Sequence, residues 1–208
     1  MEIWHGIGRQ LGHPTGLAGR IVGRMMRLAN DRPTRVSVDA LTPCATDILL
    51  DLGFGPGHAV ALMAAKARHV DGIDRSVAML RQASRRNRRA IADGRVALSI
   101  GRFDALPYPD DRFDGILASN VVYFWQDERA VLAEIRRVLK PGGRLCVYVT
   151  DAVTMAGWRF AGKATHRHFT PEDLTQMLLE AGFDRDAIET RPVRIANGVN
   201  GIVSVARS

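Results

Sequence analysis

The chain has 208 residues, with 29 Lys and Arg against 22 Asp and Glu, for a formal net charge of +7. That length suits one domain able to bury a substantial core, and the charge permits nucleic acid, acidic substrates or anionic surfaces as partners without selecting any of them. Its two cysteines, Cys44 and Cys146, lie far apart with no metal-ligand spacing, no apolar run could span a bilayer and no signal-peptide core is present; this argues against a disulfide framework, a zinc site and membrane insertion, and predicts a cytoplasmic location.

In chain order, residues 1–40 read as an appendage and 41–208 as the folded domain. The appendage holds a glycine- and proline-containing stretch, Arg9 to Gly16, followed by an amphipathic helix. Leu17, Ile21, Met25 and Leu28 share one face of that helix and Arg20, Arg24 and Arg27 another, as in a helix that packs on a domain and exposes its arginines. An interfacial membrane helix is the alternative. Ile48 to Asp51 reads as a buried strand running into the turn Gly53-Phe54-Gly55-Pro56-Gly57. A helix from His58 to Arg68 then places Val60, Met63, Ala64 and Ala67 on one face. A second strand spans Val70 to Asp74, and a helix starts near Ser76.

On that helix Arg81, Arg85, Arg88 and Arg89 form a basic stripe, with Arg86 adjacent. No aromatic lies between Arg81 and Arg95, so the stripe reads as a solvated face rather than a nucleic-acid platform. Further strands are predicted over Val96 to Ile100, Phe113 to Ala118 and Leu145 to Val149. A helix burying Val131, Leu132, Ile135, Val138 and Leu139 stops at Pro141-Gly142-Gly143. Thr170 and Pro171 have the chemistry of N-cap and first helical residue, Leu174, Met177, Leu178 and Ala181 form the buried stripe, and Gly182 ends the helix. Two strands, Ile188 to Ile195 and Gly201 to Ala206, close the chain. Alternating strands and helices predict an α/β fold: a Rossmann-like, seven-stranded, mostly parallel sheet with helices on both faces and a C-terminal antiparallel hairpin.

The glycine spacing narrows the ligand. Dinucleotide folds use G-x-G-x-x-G, whereas Gly53, Gly55 and Gly57 follow G-x-G-x-G, and His58 at the next position would crowd a pyrophosphate held on the helix. Asp74, about twenty residues on at a strand end, is placed to bind ribose hydroxyls. Adenosine with a carboxylate-bearing tail fits these features better than a pyrophosphate, which counts against a nicotinamide reductase.

Asp51-Leu-Gly-Phe-Gly-Pro-Gly57, Gly72-Ile-Asp74-Arg-Ser76, Asp104 to Asp114 and Glu134 to Gly143 together resemble successive motifs of class I S-adenosylmethionine-dependent methyltransferases, most closely the ubiquinone- and menaquinone-type small-molecule group. The resemblance covers Ile48 to Thr150 and implies S-adenosyl-L-methionine as cofactor. It implies that Gly53, Phe54, Gly55 and Gly57 lie against the methionine part and that Asp51 reaches its ammonium. Asp74 would hold the ribose, with Arg75 flanking the adenine. Asp104 would accept the adenine amino group beside Ala105 and Leu106, and Asn120 would line the methionine end. In such relatives a segment like Arg9 to Gly16 serves as a lid.

The sulfonium carries an activated methyl group, so the protein's work is alignment, exclusion of water and, where needed, removal of a proton. The family has no universal catalytic residue. His168, His166 and Tyr123 are the candidates here, since histidine titrates near operating pH; His13 and His5 are weaker ones. Trp158 and Phe160 lie in the same region as the two histidines. Asn120-Val-Val-Tyr123 keeps the asparagine and aromatic of the amino-directed nucleic-acid motif but lacks both prolines, so Tyr123-Phe124-Trp125 reads as acceptor-pocket lining or core. The expected acceptor is a small, partly apolar or aromatic molecule. The alternatives are an RNA or phospholipid acceptor, favoured only by the arginines, and a non-catalytic cofactor-binding subunit, opposed by the intact glycines. No metal is expected, and the sequence leaves the oligomeric state open.

Overall fold

A computed structural model describes residues 31–158 and 167–208. The expected lid, the amphipathic stripe of Leu17 to Leu28, and His5, His13, Phe160 and His166 lie outside the described residues. Helical residues 31–41 (α1) bury Val38 and Leu41 against the sheet. Seven strands follow: β1 Ile48–Leu52, β2 His69–Asp74, β3 Val96–Ile100, β4 Phe113–Ser119, β5 Leu139–Thr150, β6 Ile188–Ala196 and β7 Val199–Arg207. They form one sheet in the order β3-β2-β1-β4-β5-β7-β6. β1 to β5 are parallel, and β7 pairs antiparallel with both β5 and β6.

The intervening helices are α2 His58–Ala64, α3 Val77–Arg86, α4 Arg88–Ala92, α5 Glu128–Val138, α6 Ala152–Ala156 and α7 Pro171–Glu180. Two apolar clusters, one on each sheet face, follow from this layering. One gathers Ile116, Val131, Leu132, Ile135, Leu174 and Leu178; the other gathers Val38, Leu41, Val60, Met63, Met79 and Ala83. Central strands buried on both faces read as near-continuous apolar runs, as Leu49 to Leu52 and Ile116 to Ala118 do.

Local chemistry sets the helix starts. Ser76 accepts from the Met79 amide, Asp127 from Ala130, and Thr170 forms a full capping box with Asp173 ahead of Pro171. Two boundaries depart from the sequence reading by more than two residues. The helix after the glycine turn ends at Ala64 instead of Arg68, because the amides of Arg68 and His69 are both drawn to the Asp47 carbonyl at 3.0 and 3.2 Å. β5 begins at Leu139 instead of Leu145, so Leu139, expected on the helix stripe, is a strand residue and α5 ends at Val138. Leu139 already pairs with Phe113, the chain then loops out, and pairing resumes at Arg144 opposite Gly115. Within the looped-out stretch Gly142 donates to the Ser208 carbonyl at 2.9 Å, and Ser208 donates back to Gly143.

The order reverses between β1 and β4. Ligands in open α/β sheets bind beyond the strand ends at such a switch point, and that is where the glycine turn lies. Among the described residues no helix is long and apolar enough to cross a membrane.

Candidate functional site

The glycine turn leaves the end of β1 and continues its ladder, with the Gly53 amide donating to the Ile73 carbonyl at 2.8 Å. All three glycines have left-handed φ, +81° at Gly53, +50° at Gly55 and +78° at Gly57. Their surroundings differ. A Cβ on Gly53 would stand 2.6 Å from Val121 Cγ2, and one on Gly57 2.7 Å from the Ala83 methyl; on Gly55 it would meet nothing within 4 Å. Gly53 and Gly57 therefore let the protein pack on itself, while Gly55 faces open space where a ligand can approach the backbone. Phe54 is buried, its ring against Gly72, and its carbonyl accepts the Gly57 amide at 2.9 Å. Buried Asn87 donates through Nδ2 to the carbonyls of Gly57 (3.0 Å) and Ala83 (2.9 Å), tying the turn to the end of α3.

Two carboxylates flank the turn. Asp74 accepts the Gly55 amide on Oδ2 and the Ser76 amide on Oδ1, each at 2.8 Å. This holds it rigidly at the end of β2. Asp51, on β1, is only 2 % exposed, and its Oδ2 has no hydrogen-bond partner among the described residues. Burial, with the Asp74 charge nearby, pushes its pKa up to about 8, against a hydrogen bond from the Val60 amide. A buried carboxylate with an orphaned oxygen is a costly arrangement. A cationic group delivered to it would offset that cost.

The adenine-side expectations fall around one cavity of about 470 Å³, whose lining includes Arg75, Ile100, Gly101, Arg102 and Asp104. Arg75 sits over the Phe103 ring at 5.2 Å. Ile100 is 42 % exposed, an apolar surface at the strand end for a flat ring. Asp104 is gripped by Arg102, Nε to Oδ1 at 2.9 Å and a second nitrogen to Oδ2 at 2.5 Å, and these hydrogen bonds hold it below the usual carboxylate range. Ala105 is exposed beside it and Leu106 is buried. The loop is fixed from beneath: Glu134 accepts the Leu106 amide at 2.7 Å, and Arg137 donates to Glu134, Asp110 and the carbonyls of Leu106 and Tyr108.

Beyond β4, Asn120 is a non-glycine residue at φ +54°. Its amide donates to the Tyr148 carbonyl at 2.9 Å, and its Oδ1 accepts the Tyr123 hydroxyl at 3.0 Å. That hydroxyl also accepts the Thr150 amide, so the end of β5 is joined to the loop after β4. Burial holds the Tyr123 phenol well above its ordinary pKa. Tyr123 is thus a fixture that orients Asn120, poorly suited to act as a base. Its ring lies 6.1 Å from that of fully buried Phe169. His168, the neighbour of Phe169, is half-buried in the segment before α7, and Trp158 is half-buried in the segment after α6.

The structure brings Asp51, Gly55 and Asp74 together at the turn, and Arg75 and Asp104 at the adjoining cavity. Sequence reading missed the supports: Asn87 on Gly57, Arg102 on Asp104, Arg137 under the loop, and Asp31, whose Oδ1 lies 3.4 Å from His58 Nε2. Asn87 carried a local signal, an uncharged polar residue interrupting the arginine stripe.

Comparison with known proteins agrees with this fold. Residues 50–147 match the model of the methyltransferase domain family. An uncharacterized methyltransferase of Bacillus subtilis is 31% identical over 61% of this chain and 69% of its own. A demethylmenaquinone methyltransferase of Clavibacter sepedonicus is 35% identical over 63% of this chain, and the chain spans about half of that protein's length, 54%. In fold, a Haemonchus contortus phosphoethanolamine N-methyltransferase 2, solved with phosphomonomethylethanolamine and S-adenosylhomocysteine, superposes with TM-score 0.77 at 14% identity, covering 99% of this chain and 60% of that one. The chain belongs to the class I S-adenosylmethionine-dependent methyltransferase family and is an enzyme of that class.

Proposed function

We propose that the protein binds S-adenosyl-L-methionine between the glycine turn and the cavity beside Asp104, and methylates a small, partly apolar or aromatic acceptor. The observation that carries this reading is the orphaned, buried Oδ2 of Asp51 next to a turn whose Gly55 faces open space. The donor set fits a zwitterionic adenosyl amino acid. Asp51 meets the ammonium, and the Gly55 face admits the carboxylate end to the turn. Asp74, whose two oxygens each accept a backbone amide, is held at the strand end where it meets the ribose hydroxyls. Arg75 and Ile100 flank the adenine, and Asp104 accepts its amino group while Arg102 holds it in place.

When bound, the cofactor supplies an electrophilic methyl group. The chain's own residues then orient and shield. Asn120, braced by Tyr123, lines the methionine end, and the aromatic rings of Tyr123 and Phe169 support an apolar acceptor pocket beyond it. Half-buried His168 is the described residue proposed as a proton acceptor, should the acceptor atom need one. The arginine stripe from Arg81 to Arg95 lacks the stacking aromatics that an RNA acceptor would use. The cytoplasmic reading rests on cysteine usage: Cys44 is exposed and free, and Cys146 is buried and free.

The test is calorimetry. S-adenosylhomocysteine should bind in the micromolar range, about −8 kcal/mol, with no comparable NADH binding. Asp74→Asn, which keeps one acceptor oxygen for the backbone, should weaken it roughly 10- to 100-fold. Tighter NADH binding, or an unaltered affinity in the variant, would overturn the cofactor reading. For the acceptor, methyl-labelled cofactor incubated with phenolic and quinol compounds, and in parallel with RNA, should label the former; label in RNA alone would overturn the small-molecule reading.

A further inference from the structure

The basic stripe is more than a solvated helix face. Arg86, Arg88 and Arg89, from the α3–α4 junction, join Arg95, just before β3, around a cavity of about 500 Å³. Its α2 side is lined by Ala61, Ala64 and Ala65, whose methyl side chains leave the space unfilled. This cavity is separate from the one beside Asp104. α2 has 7 residues, so its C-terminal end lies roughly 10 Å along the helix from the glycine turn.

The charge here is only partly compensated, with the Asp31 carboxylate acting on Arg86. Between Arg81 and Arg95 the sequence has one acidic residue, Asp93, and it pairs with Arg95 at 3.3 Å. Arg95 is fixed further by a 2.7 Å hydrogen bond to the Ala64 carbonyl, so one wall of the cavity is rigid. Among the described residues Arg88 and Arg89 form no ion pair; both are exposed. Several guanidinium groups crowded around one concavity repel each other unless an anion bridges them, and their planar forks match phosphate oxygens in pairs.

The shape and lining select the kind of anion. Among the described residues no aromatic lines the cavity, which disfavours stacked single-stranded nucleic acid. None of the exposed large apolar side chains among the described residues, Val77, Ile100 and Val153, lines it either, so they supply no apolar anchor of the kind a membrane-inserting surface uses. We propose that this cavity is a binding site for a small, phosphate-rich anion with the size and charge of a di- or triphosphate group, distinct from the cofactor cleft. Asn87 lines the cavity while its Nδ2 holds the Gly57 carbonyl, so the bound anion adjoins a support of the glycine turn.

The probe is inorganic tripolyphosphate, titrated calorimetrically into the full chain saturated with S-adenosylhomocysteine, so that the cofactor cleft is blocked. One tripolyphosphate should bind per chain. Arg88→Ser/Arg89→Ser, whose fold is checked by circular dichroism, should lose on the order of tenfold or more in affinity. Arg129→Ser, which removes an exposed arginine on α5, should match the parent. Equal affinity in all three proteins would show diffuse charge attraction and overturn the site, as would more than one anion per chain. Competition between tripolyphosphate and S-adenosylhomocysteine would place the anion in the cofactor cleft and overturn it too. Vesicles of phosphatidic acid in phosphatidylcholine are the second arm. Binding to them without binding of free tripolyphosphate would assign the arginines to a lipid surface instead.

Discussion

The Tyr123 hydroxyl donates to Asn120 Oδ1 at 3.0 Å and simultaneously accepts the Thr150 amide, clamping a left-handed asparagine between the ends of two central strands. An asparagine at φ +54° is tolerated because its short polar side chain can hydrogen-bond locally, and here Tyr123 provides that bond. Tyr123→Phe keeps the ring against Phe169 and removes the clamp. It should cost about 1–3 kcal/mol in urea unfolding, because the Thr150 amide loses its partner. Turnover should fall more than S-adenosylhomocysteine affinity does. A variant with parental kcat would show that Asn120 holds its orientation unaided.

Asp51 makes stability depend on pH in an unusual direction for a carboxylate. Unfolded, it ionises at its ordinary value near 3.8; folded, it keeps its proton up to about 8. Between those values the folded chain carries a proton that the unfolded chain lacks, so this group's contribution to stability falls as pH rises and levels off above about 8. Asp51→Asn cannot ionise yet retains an acceptor for the Val60 amide. Urea unfolding at pH 5, 7 and 9 should show a decline in the parent that is shallower in the variant. Parallel curves would remove the buried-proton assignment.

Glycine substitutions should separate packing from ligand approach. Gly57→Ala drives a methyl onto Ala83 at a left-handed φ, and is expected to cost about 2–4 kcal/mol in thermal or urea unfolding. Gly55→Ala meets open space and should cost only the backbone term, about 1–2 kcal/mol. Gly55→Val should keep the far-ultraviolet circular dichroism of the parent and lose S-adenosylhomocysteine binding. Retained binding would move the cofactor away from this face.

Arg137 reaches Glu134, Asp110 and two carbonyls of the loop that carries Asp104, at distances of 2.7 to 3.1 Å. Arg137→Ala should destabilise the fold by about 1–2 kcal/mol, since the side chain is partly solvated. Its larger effect should be a several-fold rise in the KM for S-adenosylmethionine with kcat nearly unchanged. A change confined to kcat would place the loop in the acceptor pocket.

Features set by near neighbours were legible in the sequence. Thr170, Pro171 and Asp173 lie within one turn of each other and dictate a helix start whatever surrounds them. Val96 to Ile100 is a mostly apolar run lying between Gly94 and Gly101, and it forms β3 with the predicted ends. The strand–glycine–helix order and the acidic residue ending the next strand were legible as one cluster, because a βαβ unit brings them together through local connections. Tertiary structure decided what depends on partners distant in sequence. Which glycine faces open space turns on Val121 and Ala83, residues that the sheet order and helix packing bring beside the turn. Where α2 stops turns on the Asp47 carbonyl, and the early start of β5 on Phe113 across the ladder. The arginine cavity needs α2 to supply alanines opposite a stripe that, taken as a helix alone, is only a charged face. A single segment encodes its own periodicity and caps; it cannot encode the space left between two segments, because that space is set by how both pack on the same sheet.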